Sequence, residues 1–253
     1  MSLIAVVGEG STTTAVGLVS AWPLGEPCSL VEFDPAGGCL SAWLDTPQSP
    51  GLVDVTASSD AGSWLRIESA FQRSTSGLDV LVAPHRTVEA SAVIAAASVT
   101  VLPVLSALQS PVFVADGGRL RGGLSPLTTQ AGLVVISHRQ HSGSAAASAL
   151  GLQRVADLCE ALRNRALPHV IALIGQRPYA ADEVADFVGT ELVIPIADDS
   201  WAAAVVAGRA GSTIRFRRSA LMKSMTVLAS AASACLRQSQ HELVWDDQAG
   251  SSL

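Results

Sequence analysis

The sequence predicts an α/β fold: a single domain built on a mainly parallel β-sheet of about seven strands with helices on both faces. Short, continuous apolar runs, typical of strands buried on both faces, alternate with stretches whose apolar residues recur every three or four positions, as in amphipathic helices. Strand and helix in alternation favour parallel pairing. No abrupt change in composition marks a linker within the 253 residues.

The predicted elements follow the apolar runs along the chain. The strands are predicted at Leu3–Val7, Cys28–Phe33, Leu78–Val82, Val112–Ala115, Leu133–Ile136, Val170–Ile174 and Leu192–Ile196. The principal helices are predicted at about Thr13–Ala21, Ser144–Arg165, Ala180–Val188, Trp201–Ala207 and Arg218–Arg237. The α/β domain is therefore expected over residues 1–238, and a short, acidic, flexible tail over 239–253.

The composition excludes a disordered chain and limits the chemistry. Hydrophobic residues make up 49% of the chain and charged residues 15%, with a net charge of -6, so the chain can bury a core. The acidic balance gives no strong nucleic-acid signal, and the cluster Arg215, Arg217 and Arg218 is interpreted as solvated charge. Of the 16 basic residues only Lys223 is a lysine, which excludes mechanisms that need a lysine earlier in the chain.

The cysteines and the longest uncharged stretch indicate the compartment. Four cysteines are scattered without CxxC spacing and no signal peptide opens the sequence, which predicts a cytoplasmic protein. The stretch between Glu89 and Asp116 has no charge, but Pro103 and Pro111 interrupt it. It therefore predicts a buried helix followed by a buried strand, and no transmembrane segment.

Ligands of such folds bind beyond the carboxyl ends of the strands. After the first strand, the glycine-rich turn Gly8–Thr14 opens a helix, and a helix N-terminus of this kind offers backbone N–H groups to an anion. Glu32 and Asp34 follow the second strand, and Asp116 ends a later one. Carboxylates placed there can hold Mg²⁺ or position a water molecule.

In this order, the motifs Gly10-Ser11-Thr12-Thr13, Asp34-Pro35-Ala36-Gly37-Gly38, Asp116 and Val193–Asp198 resemble the MinD/ParA group of P-loop ATPases, most of all its CpaE-like branch. The resemblance covers roughly residues 3–235 and rests on the order and spacing of the motifs.

The resemblance implies a role for each matching residue. Thr12 takes the place of the Mg²⁺-binding hydroxyl, and Asp34 and Asp116 that of the catalytic carboxylates, which also assist the metal. The residues that the resemblance implies for binding ATP are Gly8, Gly10, Ser11, Thr12, Thr13, Pro195 and Asp198. Pro195 and Asp198 belong to the segment that borders the adenine in the family.

The chain also departs from the family pattern. Ser11 stands where the family has its phosphate-binding lysine, the second, signature lysine is missing, and no arginine occurs before Arg66. The turn before Gly10 is about two residues short and contains Glu9. The Glu9 carboxylate would repel a bound triphosphate, because two like charges about 4 Å apart repel by about 4 kcal/mol at an effective dielectric of 20. These departures argue against ATP with Mg²⁺ as a tightly bound cofactor.

Three functional interpretations follow. The first is a degenerate MinD/ParA-like positioning or scaffold adaptor for a secretion, pilus or division apparatus, a homodimer through its nucleotide-site face, recruited to the membrane by a partner. The second is an active ATPase with a lysine-free P-loop. The third is a Rossmann protein, because Gly8-x-Gly10 is followed about 20 residues later by Glu32 or Asp34.

His138 and His141 have a metal-ligand spacing and are interpreted as a solvated loop pair.

Overall fold

The computed structural model describes residues 1–120, 122–141, 143–209, 211 and 214–250, and within the last helix it describes side chains as far as residue 238. Its strands are β1 (Leu3–Gly8), β2 (Cys28–Glu32), β3 (Gln72–Arg73), β4 (Asp79–Leu81), β5 (Val112–Asp116), β6 (Leu133–Arg139), β7 (His169–Ile174) and β8 (Val193–Ile196). They form one eight-stranded sheet in the order β3-β4-β2-β5-β1-β6-β7-β8. The predicted α/β fold class is confirmed.

The pairing is parallel throughout, except that β3 runs antiparallel to β4. All seven predicted strands are present, and β3 is an addition to them. Two residues are too few to show an apolar period, so sequence reasoning could not find this strand. The strong apolar runs lie in β1, β5, β6 and β7, whose buried residues are covered on both faces of the sheet.

Helices cover both faces of the sheet. The helices are α1 (Ser11–Ser20), α2 (Leu40–Leu44), α3 (Leu52–Thr56), α4 (Trp64–Glu68), α5 (Thr87–Thr100), α6 (Leu102–Ala107), α7 (Pro126–Gln130), α8 (Ala145–Arg163), α9 (Ala181–Val188), α10 (Ser200–Val206), α11 (Ile214–Arg217) and α12 (Ala220–Gly250). Buried residues of α1, α10 and α12 form one apolar cluster, and those of α5, α8 and α9 form the other.

Close packing of α1 on α12 completes one of these layers. Gly17 of α1 faces Met225 of α12, and a Cβ on Gly17 would lie 2.9 Å from Met225 Cγ. The missing side chain lets the two helices approach closely. Ala229 and Ala232 of α12 are fully buried in the same layer. The first and last helices of the domain therefore share one core.

The uncharged stretch folds as two helices and a strand. Helix α5 was predicted to be a buried helix, but only part of its surface is buried. It buries Ala90, Ile94 and Ala97, whereas Val88 and Val99 are exposed. Apolar composition alone does not reveal that this helix covers the sheet with one side only. Among the described residues, no helix combines the length and apolar character that a bilayer span requires.

The last helix is longer than predicted. Its backbone continues to Gly250, past the predicted end at Arg237. The predicted tail over 239–253 falls on residues whose side chains lie outside the described part, as do residues 251–253 entirely. Its flexibility stays a prediction.

Candidate functional site

The carboxyl ends of β1, β5 and β2 lie side by side and carry most of the predicted site residues. Strand β5 lies between the other two, and Asp116 is in register with Val6 on one side and Glu32 on the other. Because side chains in register on parallel strands point to the same face, the two carboxylates share one side of the sheet. Helix α1 begins directly above them, at Ser11.

The turn between β1 and α1 contains only Glu9 and Gly10. Gly10 adopts a left-handed conformation, φ 84°, and Gly8 has φ 113°. A Cβ on Gly8 would overlap the carbonyl oxygen of Ser137 in β6. The turn therefore passes from strand to helix in the shortest way and packs against the neighbouring strand.

Ser137 fixes this turn from the side. Its hydroxyl donates to the Glu9 carbonyl oxygen at 2.8 Å and lies 3.1 Å from the hydroxyl of Thr14. The Glu9 side chain points toward the loop after β6, where its Oε2 lies 3.3 Å from Nε2 of His141. Both of these side chains are partly exposed. Glu9 therefore adds a carboxylate to the mouth of the turn without filling its interior.

Asp116 is almost fully buried, with 1% exposure. Its Oδ1 accepts a hydrogen bond from the Gly118 N–H at 3.1 Å. Burial raises the pKa of Asp116, and the negative charge of Asp34 raises it further, whereas hydrogen bonds from the hydroxyls of Thr12 and Ser11 lower it. The structure thus brings the first turn of α1 into contact with the strand-ending aspartate.

Glu32 holds local structure together. Its Oε1 accepts from the N–H groups of Cys39 and Leu40 at 2.5 and 2.7 Å, and its Oε2 accepts from that of Ala83 at 2.9 Å. Burial raises the pKa of Glu32 to about 7, although these three hydrogen bonds lower it. This carboxylate therefore joins the end of β2 to the start of α2 and to the segment after β4.

Asp34 lies at the opening of the site and is partly exposed. Its Oδ1 accepts from the Ala36 N–H at 2.8 Å, an Asx turn that shapes the Asp-Pro-Ala-Gly-Gly segment. A Cβ on Gly118, which has φ 71°, would overlap the Asp34 carboxylate. The loops after β2 and β5 are therefore in direct contact through these two residues.

Pro195 and Asp198 lie away from this group, because β6 and β7 separate β8 from β1. Pro195 is exposed on β8, the edge strand, where a residue without an N–H group leaves no donor for an incoming strand. Asp198 forms an ion pair with Arg139 of β6, Oδ1 to Nη1 2.6 Å. The contact with adenine that the resemblance implies for Pro195 and Asp198 stays a prediction.

The charge of the site is one-sided. Glu9 lies in the turn, Asp116 contacts the first turn of α1, and Glu32 ends the neighbouring β2, which Asp34 follows. Within the described part of the chain no lysine or arginine forms an ion pair with any of these four. Cys39 lies among them, and burial together with these carboxylates raises its pKa to about 12. A region of this charge repels phosphate groups.

The donor groups fit Mg²⁺ in kind, since Thr12, Asp34 and Asp116 offer the hard oxygen atoms that this ion prefers. No group of three or more His, Cys, Asp or Glu side chains in the described residues is arranged to hold a metal. The turn does not fit a triphosphate: it supplies neither a basic side chain nor a loop long enough to surround a phosphate group.

The two histidines do not form the predicted loop pair. His141 contacts Glu9, but His138 belongs to β6, is 3% exposed and has a buried Nε2 that finds no hydrogen-bond partner among the described residues. Gly151 of α8 packs against its ring, where a Cβ would overlap it. Strand β6 continues three residues beyond the predicted end at Ile136, which carries His138 into the core.

Sequence reasoning also missed Ser137 and Arg139, which contact predicted site residues from β6. Their partners Glu9 and Asp198 lie 128 and 59 residues away along the chain. A single serine or arginine at the end of an apolar run carries no signal of a partner so distant. The parallel alignment of β6 with β1 and β7 brings these residues to the same edge of the sheet.

A small apolar cavity of about 150 Å³ opens beside the site, on the side of α5 and α7. Its lining includes Phe33, Ile94, Leu127 and the glycine-rich segment after β5. Ligand pockets measure roughly 300–1,000 Å³, so this cavity accommodates an apolar side chain and is too small for a nucleotide.

The topology does not agree with the Rossmann interpretation. In a Rossmann sheet, the strand that carries the ribose-binding carboxylate is a direct neighbour of the first strand. Here β5 separates β2 from β1. Glu32 and Asp34 therefore lie one strand too far from the glycine turn for that role.

No protein-family profile matches the chain, and no curated protein matches its sequence. Several solved structures match the fold of the chain. A ParA family ATPase from Chlorobium tepidum TLS has a TM-score of 0.67 at 15% identity, with 90% of this chain and 97% of that chain covered. The MinC:MinD cell division protein complex of Aquifex aeolicus gives 0.66 at 12%, covering 92% and 96%.

A third similar structure is the septum site-determining protein MinD, complexed with Mg-ADP, from Pyrococcus horikoshii OT3, with a TM-score of 0.65 at 16% identity, covering 91% of this chain and 95% of that chain. At these identities the likeness is one of fold. The chain therefore has the P-loop NTPase-like fold of the MinD/ParA ATPases.

Proposed function

We propose that the chain is a MinD/ParA-like protein that keeps the ATPase scaffold with weak or absent ATP hydrolysis, and that it works as a positioning or scaffold adaptor. The observation that carries the proposal is the two-residue turn between β1 and α1, in an acidic surrounding without a lysine.

The length of the turn is the first support. A P-loop has the pattern G-x-x-x-x-G-K-[ST], in which four residues between the glycines supply N–H groups that surround the phosphates. Here Glu9 alone separates Gly8 from Gly10. The amides needed to surround a β-phosphate are therefore missing, and only the N-terminus of α1 remains to face an anion.

The charge is the second support. Ser11 supplies no positive charge in place of the lysine, and Glu9 brings a negative one to the turn. Repulsion of about 4 kcal/mol between charges about 4 Å apart corresponds to a roughly thousandfold loss of affinity. Such a loss is sufficient to turn a nucleotide switch into a protein that is indifferent to nucleotide.

A scaffold that no longer responds to nucleotide can still bind protein partners. One structure with this fold is the MinC:MinD cell division protein complex. By analogy, this chain would bind a protein of a secretion, pilus or division apparatus, form a homodimer through the face that carries Asp34 and Asp116, and reach the membrane through its partner. Cytoplasmic location is part of the same proposal.

Isothermal titration of the full chain with Mg-ATP and Mg-ADP tests the proposal. The expected result is no heat of binding at micromolar nucleotide and no phosphate release above the background without protein. Micromolar affinity together with measurable turnover would refute it.

An active ATPase with a lysine-free turn is a second candidate, favoured by the hydrogen bonds that Thr12 and Ser11 make to Asp116. A structure of the same fold is complexed with Mg-ADP. In this case Asp34 orients the attacking water, so Asp34→Ala abolishes phosphate release, whereas Asp157→Ala on the exposed side of α8 leaves it unchanged. Equal release by the wild type and Asp34→Ala would dismiss this candidate.

A further inference from the structure

Charges of opposite sign are segregated near the end of the domain. Residues 178–208 contain six carboxylates and no basic residue: Asp182, Glu183, Asp186, Glu191, Asp198 and Asp199. Residues 200–241 contain six basic residues and no carboxylate: Arg209, Arg215, Arg217, Arg218, Lys223 and Arg237. The fold places α9 of the acidic segment and α11 of the basic segment on opposite sides of the sheet, since α9 packs with α8 and α11 packs with α12.

The acidic α9 face consists of Asp182, Glu183, Asp186 and Phe187. All four are exposed, and Phe187 keeps 55% of its surface in solvent. Glu183 Oε2 accepts from the Ala180 N–H at 2.7 Å, and Arg163 of α8 donates to the carbonyl groups of residues 188 and 189 at the end of the helix. Within the described residues no carboxylate of this face forms an ion pair. The helix thus presents a large exposed apolar side chain together with three exposed carboxylates.

The basic α11 face consists of Trp201, Ile214, Arg215, Arg217 and Arg218. Ile214 is 75% exposed, and the guanidinium carbon of Arg215 lies 4.8 Å from the centroid of the Trp201 ring. The three arginines form no ion pair within the part of the chain that the structure describes.

An open cavity of about 550 Å³ lies in the middle of the basic α11 face. Its lining residues are Asp199, Trp201, Ile214, Arg215, Arg218 and Ser219. The Asp199 carboxylate is engaged as the cap of α10, where its Oδ1 accepts from the Ala202 N–H at 3.0 Å. This face therefore offers a hollow in which the apolar side chains of Trp201 and Ile214 lie beside those of two arginines.

We propose that the acidic α9 face of one copy of the chain docks on the basic α11 face of a second copy. The carboxylates of one face meet the arginines of the other, and the Phe187 ring enters the hollow beside Trp201 and Ile214. Arginine is suited to this contact because its planar guanidinium pairs with carboxylates in a bidentate manner and stacks on aromatic rings.

The geometry of such a contact is head to tail. The two faces differ and lie on opposite sides of one sheet, so they do not meet within a single copy. A contact between unlike faces leaves one free face at each end, and it builds either a closed ring or an open filament. It involves neither the turn at Gly8 nor Asp34, and so it does not depend on nucleotide.

A second copy explains more of these features than a polyanion does. A nucleic acid or an anionic lipid surface would engage the arginines but would leave Phe187 and its carboxylates without a partner. The complementary surface is present on the chain itself.

Sedimentation velocity of the full chain without nucleotide, in low and high salt, tests the proposal. We expect wild-type assemblies that grow with concentration and dissociate in high salt. The double variant Arg215→Glu/Arg218→Glu has two acidic faces, and Asp182→Arg/Asp186→Arg has two basic faces. Each should associate at least about tenfold more weakly alone, because like charges then face each other.

In an equimolar mixture, the unchanged acidic α9 face of one variant can meet the unchanged basic α11 face of the other. The two altered faces also carry opposite charges, so we expect association to return. The matched control Arg154→Glu/Arg165→Glu, on exposed positions of α8 and the loop after it, should behave as the wild type. Circular dichroism checks that every variant folds.

Three results would overturn the proposal: a wild type that does not associate, double variants that associate as the wild type does, or a mixture that stays apart. Binding of a DNA duplex or of phosphatidylserine vesicles through the same arginines, without self-association, would also overturn it. None of these results bears on the nucleotide titration that tests the proposed function.

Discussion

The buried carboxylate of Glu32 makes a quantitative prediction about stability. A carboxyl group whose pKa is higher in the folded than in the unfolded chain holds its proton more tightly in the fold. Its contribution to stability is therefore complete below the unfolded pKa and is lost as the pH rises through the folded pKa. For Glu32 the ordinary pKa, taken for the unfolded chain, is 4.5, and the pKa in the fold is about 7.

The magnitude follows from the distance between the two pKa values. Each pKa unit corresponds to about 1.4 kcal/mol, so a rise from 4.5 to about 7 gives a loss of about 3 kcal/mol between pH 4.5 and pH 8. Burial lowers the pKa of His138 and of His169, and their contributions change with the opposite sign, since they are lost as the pH falls. The wild-type profile alone therefore mixes both effects.

Comparison with Glu32→Gln separates them. We expect the free energy of unfolding of the wild type, relative to this variant, to fall by about 3 kcal/mol between pH 4.5 and pH 8, whatever constant offset the amide introduces. Urea denaturation at half-unit pH intervals measures this difference, and the exposed Glu68→Gln is the control with a flat profile. Parallel profiles for the wild type and Glu32→Gln would refute the reasoning.

Three further predictions concern the turn at the start of α1. Gly8→Ala should lower the free energy of unfolding by at least roughly 1–3 kcal/mol in urea denaturation, because φ is 113° and the Cβ overlaps the carbonyl of Ser137; an unchanged midpoint would contradict the geometry. Ser137→Ala removes the hydrogen bond to the Glu9 carbonyl and the contact with Thr14, and should cost about 1–3 kcal/mol in the same assay, whereas Ser106→Ala on the exposed side of α6 should cost little. Glu9→Gln/Ser11→Lys should still show no micromolar ATP binding in calorimetry, because the turn stays two residues long; micromolar binding would show that charge, and not loop length, controls the site.

The sequence predicted those parts of the fold that depend on periodic apolar residues. Strand β1 and strand β7 are visible because every residue in them contributes to the run, whereas β3 contains too few residues to show a period. The first helix also follows from its position after a glycine turn. Helix α5 was misjudged because its composition does not distinguish the buried Ile94 from the exposed Val99.

Part of the candidate site was also predictable, for a geometric reason. Asp116 ends one parallel strand and Asp34 follows another, so both are expected at the same edge of the sheet. The function of Glu32 did not follow, because its hydrogen-bond donors are the backbone N–H groups of Cys39, Leu40 and Ala83, which no pattern of side chains can indicate. Ser137 was missed for a similar reason, since its partners belong to the turn before α1 and to α1 itself, more than a hundred residues earlier.

The contact between Gly17 and Met225 has a consequence for the order of folding during synthesis. About two hundred residues separate Gly17 in α1 from Met225 in α12. The apolar side of α1 is therefore synthesised long before the helix that covers it. The central strand β1 likewise pairs with β5 and β6, which follow more than a hundred residues later. The domain therefore completes its core only when α12 has left the ribosome, and a chain that stops before α12 leaves the apolar side of α1 exposed to chaperones.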